Sequence, residues 1–516
     1  MIADGFLRFP EAKLSDHGVT NAWRIKYPAL FYQQDTQERY RTAATEGIER
    51  LDRLYGQIAG RFAADEAFPP LADGRNPSRG TELCCTAEYA YSMEQLFEIF
   101  GDPAAGDRIE ALAYNTWPGE MTPDMWAHQY DTQANQVVVT TAERGWIDGP
   151  SANLYGMEPN WTCCLANMHQ GWPRFVKNMW MATHDDGLVA VAYGPCEVTA
   201  QVGATGHRVT IVEETEYPFD GKIRFTLKSD GPVKFPLRLR IPSWAAGARI
   251  QAGGAAISAP PGQVVVLDRT WKPGETIKLD LPMEIRIEER FNKAAAVRRG
   301  PLYFALRIGQ DYREDPWENQ IGNLAARPIR EQSGFPLFDW EIYPSPPWNY
   351  ALAIDRERPA NSFTVKRHPL GRVPFAQKGE PLFVKIPGND AARLKKAAFK
   401  AEVSRVLPHP AEINLKIDGK PWPLGPGQDK QWVGFERIVW HRDEPLVLKV
   451  KGRRLPQWKM AQGLNPMLKQ KVAAMADPPP LSPVESAEPL VDLELIPYGC
   501  TRLRVAEFPV LRASAP

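Results

Sequence analysis

The first part of the chain shows the apolar spacing of helices. In "TNAWRIKYPALFYQQ" and "ERYRTAATEGIERLDRLYGQ" apolar residues recur every three or four positions, as in a helix with one buried face. "AEYAYSMEQLFEIFGD" continues the pattern and ends at a glycine stop signal, and "PAAGDRIEALAYNTW" predicts another short helix. The stretch from Cys163 to about Thr183 is also predicted to be helical, with a kink at Pro173.

From about Leu188 the period of the pattern changes to two. "KIRFTLKS", "FPLRLRIPSW", "GQVVVLD" and "TIKLDLPMEIRIEERF" alternate apolar and polar residues between Gly, Pro and Asp turns. Such alternation is typical of antiparallel sheets, so we predict β-sandwich domains here. A further β-rich segment begins near "VRRGPLYFALRI" and closes with "LVDLELIPYGCTRLRVAEFP", interrupted by Pro-rich loops such as "YPSPPWNY" and "ADPPPLSPVESAEP". The predicted fold class is multidomain α+β.

Length and charge narrow the class of function. At 516 residues the chain is too long for one ordinary core, and 43% hydrophobic with 24% charged residues suits a globular protein. Lys+Arg and Asp+Glu both number 62, so no net field favours nucleic acid or an anionic membrane. The 16 Trp and 16 Tyr residues offer flat faces that suit sugars, although most aromatic residues in any protein are core. A neutral small molecule is the expected partner.

The expected chemical state of the cysteines depends on the cellular compartment. "MIADGFLRFPEAKLSD" lacks the basic start and apolar run of a signal peptide, and no window approaches the ~20 apolar residues of a membrane span. A cytoplasmic location is therefore expected. In that reducing environment the 6 cysteines are expected to be thiols, thiolates or metal ligands rather than disulfides.

Four of the 6 cysteines fall in two short motifs, "TELCC" and "WTCC". Zinc sites are built from Cys, His and carboxylate ligands, usually in tetrahedral geometry. Glu82 and Cys84 from the first motif, with Cys163 and Cys164 from the second, would supply one carboxylate and three sulfurs if the motifs meet in the fold. The alternative is that these cysteines are small buried hydrophobic residues.

Glu66 lies in the Phe/Pro-rich segment "FAADEAFPPL". A carboxyl group among apolar neighbours has its pKa raised by desolvation, which favours service as a general acid near neutral pH. The alternative is a solvated loop glutamate, which the nearby Asp65 and Asp73 favour.

A set of motifs spread in order along the chain resembles one known family. "DEAF", "GTELCC", "DRIEALAYNT", "NWTCCLANMHQGWPRF", "RRGPLYFAL" and "IPYGCTRLRVAEFP" are similar to segments of glycoside hydrolase family 127, the β-L-arabinofuranosidases. The Glu-x-Cys motif and the Cys-Cys pair are the specific part of this resemblance, and the β-rich motifs support it more weakly.

The resemblance implies a retaining glycosidase in which a zinc-bound cysteine replaces the usual carboxylate nucleophile. Matched motif by motif, Glu82, Cys84 and Cys164 would hold Zn²⁺, Cys163 would be both ligand and nucleophile, and Glu66 would be the acid/base. Zinc coordination deprotonates a thiol and supplies a thiolate at neutral pH. The acid then protonates the leaving oxygen and afterwards, as a base, activates water.

Further matches concern contacts with the sugar. His17 in "SDHGVTNAW" resembles an active-site histidine of the family, and Glu110 in "DRIEAL" resembles a glutamate that touches sugar hydroxyls. A structural role is the alternative for either residue, as a helix cap or core partner in the case of His17. His128 and Tyr130 are also expected to bind substrate, and Asn135 and His169 are further candidates to line the pocket.

The helical part is short for the resemblance. The family's catalytic domain is an (α/α)6 barrel, which needs about twice the helical sequence found here, so the barrel and its pocket are predicted to be incomplete at the N-terminal side. We predict a helical (α/α) barrel-type catalytic domain over 1–185, a β-sandwich domain over 186–292 and a second β-rich domain over 293–516. A homo-oligomer is left open. The alternatives are a related hydrolase for another plant-polysaccharide sugar and a non-catalytic sugar-binding or scaffold protein with a structural zinc.

Overall fold

The computed structural model describes residues 16–122, 127–314, 339–345, 347–367 and 446–512, together with the backbone of five short strands between 384 and 421. Most of the stretch "MIADGFLRFPEAKLSD", on which the expected cytoplasmic location rests, and part of the predicted third domain lie outside the described residues.

The helices are concentrated before residue 180, in agreement with the sequence pattern. They are α1 (Gly18–Arg24), α2 (Tyr27–Asp35), α3 (Glu38–Tyr55), α4 (Leu83–Phe100), α5 (Pro103–Ala111), α6 (Trp117–Glu120) and α7 (Thr162–Asn178), with a π-helical turn at Leu112–Thr116 joining α5 to α6.

Local sequence signals set several of these boundaries. Helix α4 ends where Gly101 takes a left-handed conformation (φ 68°), which a glycine adopts without a steric penalty. Helix α5 begins with Asp102, whose side chain accepts a hydrogen bond from the Ala104 amide, followed by Pro103 in the first turn. The predicted extension of α7 to Thr183 is wrong, because Trp180–Thr183 forms a strand, although Pro173 does lie inside the helix.

Two short strands lie among the helices, β1 (Thr81–Glu82) and β2 (Asp131–Thr132). The strands that follow α7 are β3 (Trp180–Thr183), β4 (Leu188–Ala190), β5 (Cys196–Val202), β6 (His207–Thr215), β7 (Lys222–Lys228), β8 (Val233–Ile241), β9 (Arg249–Ala252), β10 (Ala255–Ser258), β11 (Gln263–Trp271), β12 (Thr276–Asp280) and β13 (Ile285–Glu289).

The remaining strands of the described residues are β14 (Ala295–Arg299), β15 (Leu302–Leu306), β16 (Gln310–Glu314), β17 (Trp340–Pro344), β18 (Tyr350–Leu352), β19 (Phe363–Arg367), β20 (Val384–Lys385), β21 (Gly388–Asn389), β22 (Ala401–Val406), β23 (Lys416–Ile417), β24 (Lys420–Pro421), β25 (Leu446–Arg454), β26 (Met460–Asn465), β27 (Gln470–Ala476) and β28 (Leu490–Pro497).

These strands form three larger sheets. An 8-stranded sheet has the order β10-β9-β12-β7-β6-β5-β22-β20, and a 5-stranded sheet has the order β11-β8-β4-β3-β21. A 7-stranded sheet follows the order β13-β14-β15-β28-β25-β18, with β19 also paired to β25. Most pairs are antiparallel, and β7 and β12 alternate buried and exposed residues as the period-two pattern predicts.

The helices and the sheets share one continuous core. Buried residues of α4, such as Phe97, belong to the same hydrophobic cluster as Leu237 of β8 and Leu448 of β25. This packing supports an α+β architecture in which the helices are held against the sheets. Among the described residues, no helix is both long enough and apolar enough to cross a membrane.

Candidate active site

The amino termini of two helices meet at the two cysteine motifs. Glu82 precedes the first residue of α4, and β1 pairs with β2 so that Glu82 lies opposite Asp131. Cys84 lies in the first turn of α4, and Cys163 and Cys164 lie in the first turn of α7, which packs against α4. Because a helix N-terminus carries partial positive charge, each helix opposes the effect that burial has on the pKa of these thiols.

The four side chains form a compact cluster. Single ligand atoms of Glu82, Cys84, Cys163 and Cys164 lie within 4.8 Å of one another. The Cys84 and Cys164 sulfurs are 3.4 Å apart, and Glu82 Oε1 lies 3.9 Å from the sulfurs of both Cys163 and Cys164. Cys163 is exposed and the other three side chains are buried. The motifs therefore meet, and together they could hold a metal ion with one sulfur facing solvent.

Charge is unevenly shared among these four side chains. The sulfur hydrogen bonds from Cys164 and Cys84 lower the pKa of Cys163 to about 2. The hydrogen bond with Cys163 raises the pKa of Cys84, and burial raises the pKa of Cys164 and of Glu82. A single negative charge in the cluster therefore falls on Cys163, the sulfur that solvent can reach.

Glu66 lies beside this sulfur and is joined to it through Tyr130. The Tyr130 hydroxyl donates to Glu66 Oε2 at 2.9 Å and lies 3.4 Å from Cys163 Sγ. Burial raises the pKa of Tyr130, so its hydroxyl keeps its proton as a donor. The Glu66 side chain is 35% exposed. It therefore lies between the two alternatives considered from the sequence, a carboxyl group buried among apolar residues and a fully solvated loop glutamate.

The backbone at Glu66 is strained. Its φ of 75° is in the left-handed region, which a non-glycine residue rarely adopts and which is enriched at functional sites. The Glu66 carbonyl accepts from the Gly18 amide at 2.8 Å, at the start of α1. A Cβ on Gly18 would lie 2.5 Å from Ala64 Cβ, so only glycine allows this close approach.

His17 has the capping role that the sequence left open, and its contact with the sugar stays a prediction. Its Nδ1 accepts from the Thr20 amide at 3.3 Å and so caps α1. Its Nε2 lies 3.5 Å from Glu66 Oε1, so the cap directs the other ring nitrogen toward the acid/base candidate.

Asn167 is a residue of the cluster that the sequence reasoning missed. Its Nδ2 donates to Cys84 Sγ at 3.0 Å and to the Cys163 carbonyl at 3.3 Å. A hydrogen bond to a ligand sulfur orients it and stabilises its thiolate form. The sequence did carry one signal for this contact: Asn167 follows Cys163 by four residues in a predicted helix, which places both on the same helix face.

Three buried aspartates lie near the cluster, and the sequence reasoning missed two of them, Asp131 and Asp148. Burial raises the pKa of Asp65 to about 7 and that of Asp148 to about 6. Burial and then the charge of Asp148 raise the pKa of Asp131, which is opposite Glu82. The reading of Asp65 as part of a wet loop is wrong, since only 5% of the residue is exposed. The cluster therefore lies in a region rich in acidic groups.

The other expected pocket residues are placed differently. His128 is fully buried, its pKa is lowered to about 3 by burial, and neither ring nitrogen has a hydrogen-bond partner among the described residues. His169 is exposed on α7. Asn135 is buried and binds the backbone of residues 506 and 507, so it supports packing. Substrate contacts by His128 and His169 stay predictions.

The expected sugar contact of Glu110 needs correction. Glu110 is fully buried on α5, where its Oε2 is 2.7 Å from Arg240 and accepts from the Tyr217 hydroxyl at 2.6 Å. Its Oε1 accepts from the Tyr193 amide at 3.1 Å. Both oxygens are thus satisfied by protein groups at the buried junction between α5 and the sheets, which supports a structural role for Glu110.

This placement predicts an effect on stability. Glu110→Ala should lower the free energy of unfolding by about 3–5 kcal/mol, because it leaves the buried Arg240 guanidinium with Asp107 as its remaining acidic partner. Glu214→Ala removes the partner of Arg224 from an exposed ion pair and should cost less than ~1 kcal/mol. Denaturant unfolding of both variants measures the difference. Unchanged stability of Glu110→Ala, with a loss of sugar binding instead, would contradict this assignment.

Two family models match the chain. Residues 20–177 match the model described as the β-L-arabinofuranosidase GH127 catalytic domain, and residues 187–283 match the GH127 middle domain. The first match contains Glu66, Tyr130 and the four clustered side chains. A comparison with curated proteins returned no match.

Solved structures show a similar fold. The chain aligns with Ara127N, a GH127 β-L-arabinofuranosidase from Geobacillus stearothermophilus T6, at 16% identity and a TM-score of 0.54, covering 95% of this chain and 59% of that one. A protein titled glycoside hydrolase aligns at 15% identity and a TM-score of 0.55, covering 96% and 66%. A GH127 β-arabinofuranosidase aligns at 15% identity and a TM-score of 0.52, covering 96% and 60%. The chain thus spans less than two thirds of the length of these relatives.

Proposed function

The chain belongs to the GH127 β-L-arabinofuranosidase family, and from this premise we propose that it is a retaining glycoside hydrolase that releases β-linked L-arabinofuranose or a similar furanoside. One observation carries the proposal: an exposed, readily ionised sulfur and a carboxyl group share one tyrosine hydroxyl. The (α/α) barrel, the β-sandwich domains and the domain limits 1–185, 186–292 and 293–516 belong to the same proposal, as does a cytoplasmic location.

Zinc fits the donor set. In tetrahedral zinc sites the metal–sulfur and metal–oxygen distances of about 2.3 and 2.1 Å place neighbouring ligand atoms roughly 3.5–3.8 Å apart. The observed separations of 3.4 and 3.9 Å are close to these values. Three sulfurs with one carboxylate also suit a borderline-soft ion. Glu82, Cys84, Cys163 and Cys164 would hold Zn²⁺, which when bound keeps the thiols deprotonated at neutral pH.

The spacing of Cys163 and Glu66 suits a retaining reaction. Retaining glycosidases hold nucleophile and acid/base about 5–5.5 Å apart. Here the Tyr130 hydroxyl oxygen lies 2.9 Å from Glu66 Oε2 and 3.4 Å from Cys163 Sγ. The distance between these two atoms therefore cannot exceed the sum of those values. An inverting reaction would need a wider gap to admit water.

The chain's own residues then account for both chemical steps. Cys163 Sγ attacks the anomeric carbon while the Glu66 carboxylic acid donates its proton to the leaving oxygen, so a carbon–sulfur bond forms as the glycosidic bond breaks. The Glu66 carboxylate next takes a proton from water, whose oxygen attacks the same carbon and releases the thiolate. The Tyr130 hydroxyl, hydrogen-bonded to Glu66 and adjacent to Cys163, orients both groups.

The proposal predicts turnover of p-nitrophenyl β-L-arabinofuranoside and about one zinc per chain. The assay compares this substrate with other pentofuranosides and with pyranosides, and elemental analysis is done on the same sample. Preference for a different glycoside would favour the related hydrolase for another plant-polysaccharide sugar. No turnover by folded, zinc-loaded protein would instead favour a sugar-binding or scaffold protein with a structural zinc.

A further inference from the structure

A second group of ligand atoms adjoins the thiolate cluster. Single ligand atoms of His17, Glu66 and Glu82 lie within 4.8 Å of one another. The side chains of His17 and Glu66 are 43% and 35% exposed, so this group opens to solvent, whereas Glu82 is buried. Glu82 is therefore common to both groups and lies between them.

The two oxygens of Glu82 have different surroundings. Oε1 lies 3.9 Å from the sulfurs of Cys163 and Cys164. Oε2 is buried and accepts no hydrogen bond from a donor among the described residues. Burial, and then the charge of the nearby Glu66 carboxyl, raise the pKa of Glu82. A buried carboxylate oxygen without a donor is costly, and a cation is one way to satisfy it.

The spacing on the solvent side suits a single ion. Two nitrogen or oxygen ligands at about 2.1 Å from a tetrahedral ion lie roughly 3.4 Å apart. His17 Nε2 and Glu66 Oε1 are 3.5 Å apart. Binding of an ion by Nε2 requires the tautomer in which Nδ1 carries the proton and donates it to the Thr20 hydroxyl, 2.7 Å away, instead of accepting from the Thr20 amide. A carboxylate that bridges two ions about 3.5–4 Å apart is a common arrangement in binuclear sites.

The local charge also favours a second cation. With Zn²⁺ bound and the thiols deprotonated as proposed above, three thiolates and the Glu82 carboxylate would carry more negative charge than one divalent ion neutralises. Glu66 adds a carboxyl group at the open side of the cluster. Among the described residues, no arginine or lysine forms an ion pair with Glu66 or Glu82, and the ion-pair partner of Glu66 is His17.

We propose that His17, Glu66 and Glu82 form a second divalent-cation site, which shares Glu82 with the thiolate cluster. Its one imidazole and two carboxylates suit ions of the zinc and cobalt class. Resting on the proposed function, occupancy of this site inhibits hydrolysis, because an ion bound to Glu66 prevents that carboxyl group from donating or accepting the proton.

Cobalt distinguishes the two sites. Thiolate ligands give Co²⁺ intense near-ultraviolet charge-transfer absorption, which imidazole and carboxylate ligands do not. Titration of the metal-free protein with Co²⁺ should saturate this absorption at about one equivalent, while equilibrium dialysis finds about two ions per chain. Binding of a single equivalent over the whole concentration range would overturn the proposal.

Two histidine variants locate the second ion. His17→Gln should lower the affinity for the second equivalent at least tenfold and leave the charge-transfer signal of the first intact, which also shows that the variant is folded. His207→Gln removes an exposed histidine of β6 and should retain both equivalents. An unchanged second equivalent in His17→Gln would place the ion elsewhere and refute the site.

Inhibition is tested separately from binding. Excess Co²⁺ or Zn²⁺ should reduce turnover by at least tenfold over the concentration range in which the second equivalent binds. Two bound ions with full activity would refute the inhibitory role. A protein that binds two ions but hydrolyses no glycoside would contradict the proposed function while leaving the second site in place.

Discussion

Cys163→Ser should reduce turnover of an aryl β-L-arabinofuranoside by three or more orders of magnitude while the protein stays folded. Cys163 is the exposed sulfur of the cluster, and its pKa is lowered to about 2 by the adjacent thiols. A serine hydroxyl in its place stays protonated and is a far weaker nucleophile. The measurement is kcat and kcat/KM with circular dichroism and metal content on the same sample.

Three comparisons make this result specific. Cys500→Ser changes a cysteine outside the cluster and should keep full activity. Cys84→Ala should lose metal, thermal stability and activity together, because metal binding energy is also folding energy. A mechanism-based furanoside inhibitor should label Cys163 and none of the buried cysteines, as peptide mass spectrometry can show. Near-normal turnover of Cys163→Ser, or a label on Glu82, would mean that a carboxylate glycosidase or a binding protein is the better description.

Glu66→Gln should slow hydrolysis by about 10²–10⁴-fold for substrates with poor leaving groups and less for those with good ones. The amide cannot donate a proton to the leaving oxygen, and this donation matters most when that oxygen is basic. The hydrogen bond from Tyr130 to the Glu66 side chain can be kept by the amide oxygen, so the structure of the site should be preserved.

The leaving-group series is the decisive measurement for Glu66. With aryl furanosides of graded phenol acidity, the kcat/KM of Glu66→Gln should fall more steeply with rising pKa of the leaving phenol than that of the unaltered protein. Glu158→Gln, which changes a partly buried glutamate shortly before α7, should retain the shallow dependence. An equal loss across the series would exclude Glu66 as the acid, and no loss would return it to a loop glutamate without a chemical role.

Local patterns were sufficient to predict the type and many boundaries of the secondary-structure elements. The glycine after Phe100 ends α4 because it readily takes the left-handed conformation observed at the end of that helix. The alternation of apolar and polar residues in 222–228 matches a strand with one buried face. These signals depend on neighbours within a few residues. The same local reasoning failed at Trp180–Thr183, where pairing with β4 converts a predicted helix end into a strand.

For the candidate site, the sequence identified which side chains have the right chemistry. The two cysteine motifs, Glu66 and Tyr130 were all recognised, and the structure brings them together. Glu110 was misplaced because its burial against Arg240 depends on a strand more than a hundred residues later in the chain. Asn167 and Asp148 were missed because a hydrogen bond to sulfur and a buried carboxyl group leave no distinct mark in a short stretch of sequence.

The sequence by itself therefore determined the division into helical and β-rich regions, the sulfur and carboxylate chemistry and the family resemblance, since each depends on residue type and short-range spacing. The tertiary structure alone decided which cysteine faces solvent, which hydroxyl joins it to Glu66, and that Glu82 is shared by two groups of ligands. These properties arise where α1, α4, α7 and the β1–β2 pair converge. Exposure, charge distribution and ligand spacing are set by that convergence, because each depends on atoms that are distant in sequence and adjacent only in the folded chain.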